Sequence, residues 1–275
     1  MKKIAIAVLT KGYENNDSYS TLIKRNNCIY DNIISKSSLE FDNIIFHEGN
    51  ITPEQQDYIS INSRCKLIFR NVKEHGSAFD DSKNLVNVEL CPPTELAATF
   101  PLGYKHMCHF WSIDFFNYLL DYQYVIRIDE DCFVDRINVN TISNIVDSNV
   151  KFAVPLICDS LDHPHVIVGL DKLLAKYLEK NNIQAPVKYS DIKSPNTNFM
   201  ILDLNFFRNH KIVQGFLSEI DKCHGIYSNR WGDAPIWGLI LYTLADIDFY
   251  ELSDTGYFHG SHNHYVNPEQ YTYEF

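Results

Sequence analysis

No C-x-x-C pair occurs in the chain: its seven cysteines stand singly at 28, 65, 91, 108, 132, 158 and 223. That pattern gives no zinc signature, and an odd number of scattered thiols suits a reducing compartment better than a disulfide framework. Basic residues are also scarce. With 24 Lys+Arg against 35 Asp+Glu the formal net charge is −11, which argues against a general electrostatic grip on nucleic acid or anionic lipid. No apolar run approaches the roughly 18 residues that a membrane span needs. The N-terminal run Ile4-Ala5-Ile6-Ala7-Val8-Leu9 is too short for a signal peptide, so a cytoplasmic location is the simplest expectation. Neither G-x-G-x-x-G after the first strand nor G-x-x-x-x-G-K-[ST] is present, which leaves a Rossmann dinucleotide site and a P-loop unsupported.

What is there is an alternation of buried strands and apolar-faced helices. At 45% hydrophobic residues, with 17 Tyr and 17 Phe, the chain can fill a sizeable core and is not a disordered one. Residues 4–9, 42–47 and 66–72 read as strands, with a helix at 19–34 and a capped helix start at Thr52-Pro53-Glu54-Gln55. Residues 74–103 contain Gly76, Pro92, Pro93, Pro101 and Gly103 and read as largely irregular, with a helix near 94–99. A broad apolar helix over 104–122 leads into the strand Tyr124-Val125-Ile126-Arg127-Ile128. Further helices are expected at 141–146, 170–178, 204–220 and 236–244, and further strands at 151–157 and 198–202. The order predicts one α/β domain over 1–275, a mixed and mostly parallel central sheet flanked by helices. Residues 1–100 are expected to form a nucleotide-binding half and 101–275 a metal and acceptor half.

The central strand stops in Asp129-Glu130-Asp131. Three carboxylates there repel one another, so a positive charge is expected beside them, and Mn2+ or Mg2+ shared with a substrate phosphate is the natural candidate. Asp129 and Asp131 read as the clamp; the plain alternative is a solvated acidic turn. His106 and His109 fit a metal pair or the polar flank of a helix, and Asp233 fits a helix N-cap worth about 1 kcal/mol. His259, His262 and His264 fit a metal site or a surface tail.

Several segments, in order, resemble motifs of the fungal α-1,2-mannosyltransferases, which are retaining glycosyltransferases of the GT-A fold. They are Tyr104-Lys105-His106-Met107-Cys108-His109-Phe110, Arg127-Ile128-Asp129-Glu130-Asp131, Thr197-Asn198-Phe199-Met200-Ile201 with Leu204-Asn205-Phe206-Phe207, Arg230-Trp231-Gly232-Asp233-Ala234-Pro235, and Gly256-Tyr257-Phe258-His259. The fourth is identical to the family motif. The resemblance implies a GT-A-like transferase that takes a nucleotide-sugar donor, GDP-mannose first, and a glycan or glycolipid acceptor. It implies Mn2+ (or Mg2+) held by Asp131 and His259 with Asp129 beside them. Thr10, Tyr104, Lys105, Arg127 and Asp129 fall on the donor side, and Asp233, Arg230 and Trp231 on the catalytic side. One departure stands out: Met200 occupies the place of a family glutamate, and a thioether excludes covalent double displacement through that position. Two mechanisms remain, attack on the leaving-group face with retention, or inversion with Asp233 as general base and another nucleotide sugar. Rival readings are a metal-dependent nucleotidyltransferase or phosphoesterase, and a sugar- or nucleotide-binding protein that has lost catalysis.

Overall fold

The apolar runs of the first 130 residues become the parallel half of a seven-stranded sheet in the computed structural model of the chain, which describes residues 3–74, 76 and 78–267. The strands are β1 (Ile4–Leu9), β2 (Phe41–His47), β3 (Leu67–Asn71), β4 (Tyr124–Ile128), β5 (Cys132–Arg136), β6 (Phe152–Val154), β7 (Phe199–Asp203), β8 (Tyr250–Glu251), β9 (Gly256–His259) and β10 (His264–Val266). The large sheet runs β3-β2-β1-β4-β7-β6-β8, with β7 antiparallel to both neighbours; β10-β9-β5 form a small antiparallel sheet. Residues Ile4 to Val8 are at most 1% exposed, which explains why β1 reads as a continuous apolar run rather than an alternating one: both faces are covered. The chain leaves β1 toward β2 on one side and returns through β4 on the other. The crevice beyond the carboxyl ends of β1 and β4 is therefore a topological switch point, where ligands gather in open α/β sheets.

In chain order the helices are α1 (Ser20–Asn32), α2 (Pro53–Asn62), α3 (Glu95–Ala98), α4 (Leu102–His109), α5 (Phe115–Tyr118), α6 (Val139–Asp147), α7 (Leu170–Lys180), α8 (Leu204–Asn209), α9 (Lys211–Cys223), α10 (Gly225–Asn229) and α11 (Asp233–Leu239). The start of α2 is a capping box: the Gln55 amide donates to Thr52 Oγ1 and the Thr52 amide to Gln55 Oε1. The expected helix over 104–122 is α4 and α5 joined by a π-turn at Phe110–Asp114. Across that turn Trp237 donates from Nε1 to the Trp111 carbonyl at 3.2 Å and packs among Phe115, Phe116, Phe152 and Phe207. Removing so central a ring costs about 3–5 kcal/mol.

Gly169 begins α7 at φ 85°, and a Cβ there would lie 2.2 Å from the Leu90 carbonyl oxygen, so glycine alone lets the long 78–94 segment lie down on α7. All seven cysteines are unbridged. Among the described residues no helix is long and apolar enough to cross a membrane.

Candidate active site

The three acids after β4 do not cluster: they fan out to three parts of the molecule. Arg127 lies two residues before Asp129, and residues two apart on a strand share a face. Its guanidinium grips Asp129 with both edges, Nε to Oδ1 at 2.7 Å and Nη2 to Oδ2 at 2.9 Å, while Nη1 donates to Asp233 Oδ2 at 2.5 Å. The group rests 4.6 Å from the Trp111 ring. Burial works against its charge, but Asp129 and Asp233 outweigh that and hold its pKa above the usual value. Burial in turn raises the Asp129 pKa in spite of Arg127.

Glu130 turns the other way. It accepts from Thr10 Oγ1 at 2.5 Å and Tyr13 Oη at 2.9 Å, stitching the loop after β1 to the end of β4; burial raises its pKa against those two bonds. Arg25 supports the junction from beneath. It is fully buried and donates from Nε and Nη2 to the Ile128 carbonyl and from Nη2 to that of Ala7. Desolvation pulls its pKa down to about 10, so it remains a cation below the strand end at neutral pH.

Asp131 meets the β9–β10 hairpin. Its Oδ2 accepts from the Ser261 amide at 2.8 Å and lies 3.6 Å from His259 Nε2, and its carbonyl accepts from the Gly260 amide. Cys132 and His259 are partners in the antiparallel register of β5 and β9, so their side chains share a face. A carboxylate oxygen of Asp131, Cys132 Sγ and a His259 ring nitrogen all lie within 4.8 Å of one another. The Asn198 amide nitrogen stands 2.8 Å from His259 Nδ1, and its Oδ1 accepts from Tyr257 Oη at 2.5 Å. Asn198 reaches this point because β7 runs antiparallel to β4, bringing its start beside the β4 end, where the Asp129 amide donates to the Asn198 carbonyl. Burial lowers the His259 pKa against the pull of Asp131, which favours a neutral imidazole with a lone pair.

Several expected site residues are placed otherwise than the sequence implied. Asp129 faces Arg127, which it shares with Asp233, and not His259. Arg127 is not open to a diphosphate: it is 2% exposed and all three guanidinium nitrogens have partners. Asp233 does not cap α11; that position belongs to Gly232, and the carboxylate accepts instead from Arg127 and from Thr197 Oγ1 at 2.7 Å. Trp231 is fully buried, donates to the Val168 carbonyl, and lies where a Cβ on Gly225 would be 2.3 Å from its ring, so it is core. Thr10 is buried against Glu130. His106 pairs with Tyr227 and Asp81 while His109 sits between Asp114 and Asp221, so they share no metal. Met200, opposite Arg127 in register, is fully buried in the core.

Arg230 and Tyr104 pack together, with Lys105 next to Tyr104 in the chain. Arg230 has φ 61° and spreads its guanidinium over Phe100 and Tyr104, donating to Asp162 at 2.8 Å and to Tyr104 Oη at 3.0 Å; Lys105 Nζ donates to the Tyr227 carbonyl at 2.6 Å. Cys132, Thr197, Asn198 and Arg25 escaped the sequence reading. Thr197 and Asn198 lay inside a quoted motif, but Arg25 and Cys132 carried no signal of their own.

A mixed, mostly parallel sheet with an acid and a histidine-bearing hairpin meeting at its switch point has the architecture of the GT-A glycosyltransferases. Two solved structures share it: core-mannan synthase A from Aspergillus fumigatus in an Mn/GDP form, with a TM-score of 0.77 over 98% of this chain and 77% of that one at 22% identity, and the Saccharomyces cerevisiae mannosyltransferase Ktr4p in complex with GDP, with a TM-score of 0.73 over 94% and 71% at 19% identity. The chain belongs to the glycolipid 2-alpha-mannosyltransferase family, whose model matches residues 94–273. It is 28% identical over 181 residues to the probable mannosyltransferase KTR4 of Saccharomyces cerevisiae, covering 57% of this chain and 38% of that protein. It is 29% identical over 181 residues to the probable mannosyltransferase MNT3 of Candida albicans, covering 59% and 46%. The matched region is thus under half the length of these relatives.

Proposed function

We propose that the chain is a metal-dependent mannosyltransferase that moves mannose from GDP-mannose to a hydroxyl of a glycan or glycolipid acceptor, with retention of configuration. The observation that carries this reading is the meeting of Asp131 with His259 at the switch point, beside the Arg127–Asp129–Asp233 network. The family relationship supports it, as do the Mn/GDP form of core-mannan synthase A and the GDP complex of Ktr4p. A carboxylate and an imidazole within 4.8 Å of one another suit a divalent first-row ion such as Mn2+ better than Mg2+, which prefers an all-oxygen shell. Asp131 and His259 would hold it, and a bound ion supplies Lewis-acid charge opposite a departing diphosphate.

The protein's own residues set the geometry. The Ser261 amide fixes the Asp131 carboxylate and Asn198 fixes the His259 ring, the kind of outer support that orients metal ligands. Arg127 and Thr197 hold Asp233 rigidly, which makes it a scaffold for the cleft rather than a roaming base. Met200 offers no carboxylate. With neither residue placed to act as nucleophile or base, attack of the acceptor hydroxyl on the face that the diphosphate leaves, its proton passing to a phosphate oxygen, is the reading kept. Incubation with GDP-mannose, Mn2+ and a mannoside acceptor should release GDP and give an α-linked product by NMR. A β-linked product would overturn retention, and phosphate release from simple esters without sugar transfer would overturn the assignment to transferases.

A further inference from the structure

Cys132 is the least explained group in the site. It is fully buried in β5, its thiol makes no hydrogen bond among the described residues, and its Sγ faces the same space as Asp131 and His259. The placement follows from the fold. Antiparallel register sets Cys132 directly across from His259, and chain continuity sets it next to Asp131, so three ligand types converge from two strands and a turn. The side chains are graded in depth: Asp131 is 28% exposed and His259 10%, while Cys132 forms the floor. A methyl or isopropyl group would fill such a floor with no desolvated polar atom.

We propose that Cys132 is a third protein ligand of the cation site, and that its sulfur biases the site toward thiophilic divalent ions, Co2+, Zn2+ and Cd2+, over Mn2+ and Mg2+. Thiolate ligands select softer ions, and a site with one oxygen, one nitrogen and one sulfur donor leaves further coordination positions for substrate oxygens. On binding, the Sγ–H bond breaks, the proton passes to solvent, and the sulfur lone pair forms the bond to the ion. The inference rests on the cation reading of Asp131 and His259 given above.

Cobalt titration of the purified chain is the test. The wild-type protein is expected to gain the intense near-ultraviolet charge-transfer band of a cobalt–thiolate bond, saturating at one equivalent. Cys132→Ser should lose that band and about tenfold or more in Cd2+ affinity, while its Mn2+ affinity changes far less. Should Cys132→Ser fail to fold, as judged by circular dichroism, X-ray absorption on the zinc-loaded wild-type protein decides: one sulfur neighbour at about 2.3 Å supports the proposal. Cobalt bound without the band, a band that survives Cys132→Ser, or a zinc shell of oxygen and nitrogen alone overturns the sulfur ligand and leaves the Asp131–His259 reading standing. A wild-type protein that binds none of these ions, with or without GDP, overturns both.

Discussion

Asp129 accepts two hydrogen bonds from the Arg127 guanidinium, whereas the Asp131 side chain, two residues on, meets among the described residues only the Ser261 amide and a His259 ring tuned toward neutrality. No Lys or Arg side chain pairs with Asp131 among the described residues. The first carboxylate is a finished internal contact, and the second is partly exposed with no cationic side chain beside it among the described residues. Matching side chains two positions apart can thus serve opposite ends: Arg127, Asp129, Asp233 and Thr197 form a closed internal network, while Asp131, Cys132 and His259 are the groups proposed to hold a cation.

Substitutions should separate the two regions. Arg127→Ala strands Asp129 and Asp233 without their cation, and breaking a buried pair in this way costs about 3–5 kcal/mol; the loss should appear as a lower urea midpoint with unchanged slope. Asp131→Asn should cost no more than about 1 kcal/mol by the same measurement, since its carboxylate is partly solvated. Comparable stability losses in both variants would erase the distinction. Asn198→Ala lets the His259 ring turn and should weaken Mn2+ binding about 10–100-fold, the usual effect of removing a group that orients a ligand; equilibrium dialysis reads this directly.

A smaller effect tests whether rigidity elsewhere also rests on internal charge pairing. His109 has Asp114 at 2.7 Å from Nδ1 and Asp221 at 2.8 Å from Nε2, with Lys83 near both acids. Burial opposes its charge, but the two carboxylates win and its pKa is raised, while the hydrogen bond from His109 lowers that of Asp221. A raised histidine contributes stability that is fully present below the unfolded value of about 6.5 and fades as pH rises through the folded value. A lowered aspartate contributes above its unfolded value of about 3.9 and fades as pH falls through the folded one. The clamp is strongest between these limits. Melting temperature against pH should fall on the alkaline side in the wild type and flatten in His109→Gln; parallel curves would rule the clamp out. The exposed pair Arg64 with Asp31 is the baseline, and Arg64→Ala should cost about 0–1 kcal/mol by thermal melting.

The fold was largely legible in the sequence because its central strands are covered on both faces, so β1 appears as an unbroken apolar run and β2 and β4 as apolar runs broken only by Asp42, Asn43 and Arg127 before charged or polar stops. Strands β5, β8 and β10 were missed: β8 and β10 have two and three residues, β8 is exposed along its length, and β5 has only Cys132, Phe133 and Val134 before Asp135 and Arg136, leaving no pattern to read. The D-x-D spacing pointed to the end of β4 but could not tell Asp129 from Asp131, since spacing says nothing about where a side chain turns after a strand ends. Arg127, two positions earlier on the same face, was the available clue. His259 could be joined to Asp131 only through family resemblance, because the pairing of β5 with β9 brings together residues more than a hundred apart. Arg25 was unreadable: a lone arginine in a polar helix looks like a surface residue until the helix packs beneath the sheet.

Calorimetric titration of GDP into the wild type and Asp131→Asn, each with and without Mn2+, weighs the account as a whole. The wild type should bind GDP markedly tighter with Mn2+ than without it, and the variant should show no such gain while melting at nearly the same temperature. Equal Mn2+ enhancement in the two proteins would place the cation elsewhere and contradict the role given to Asp131.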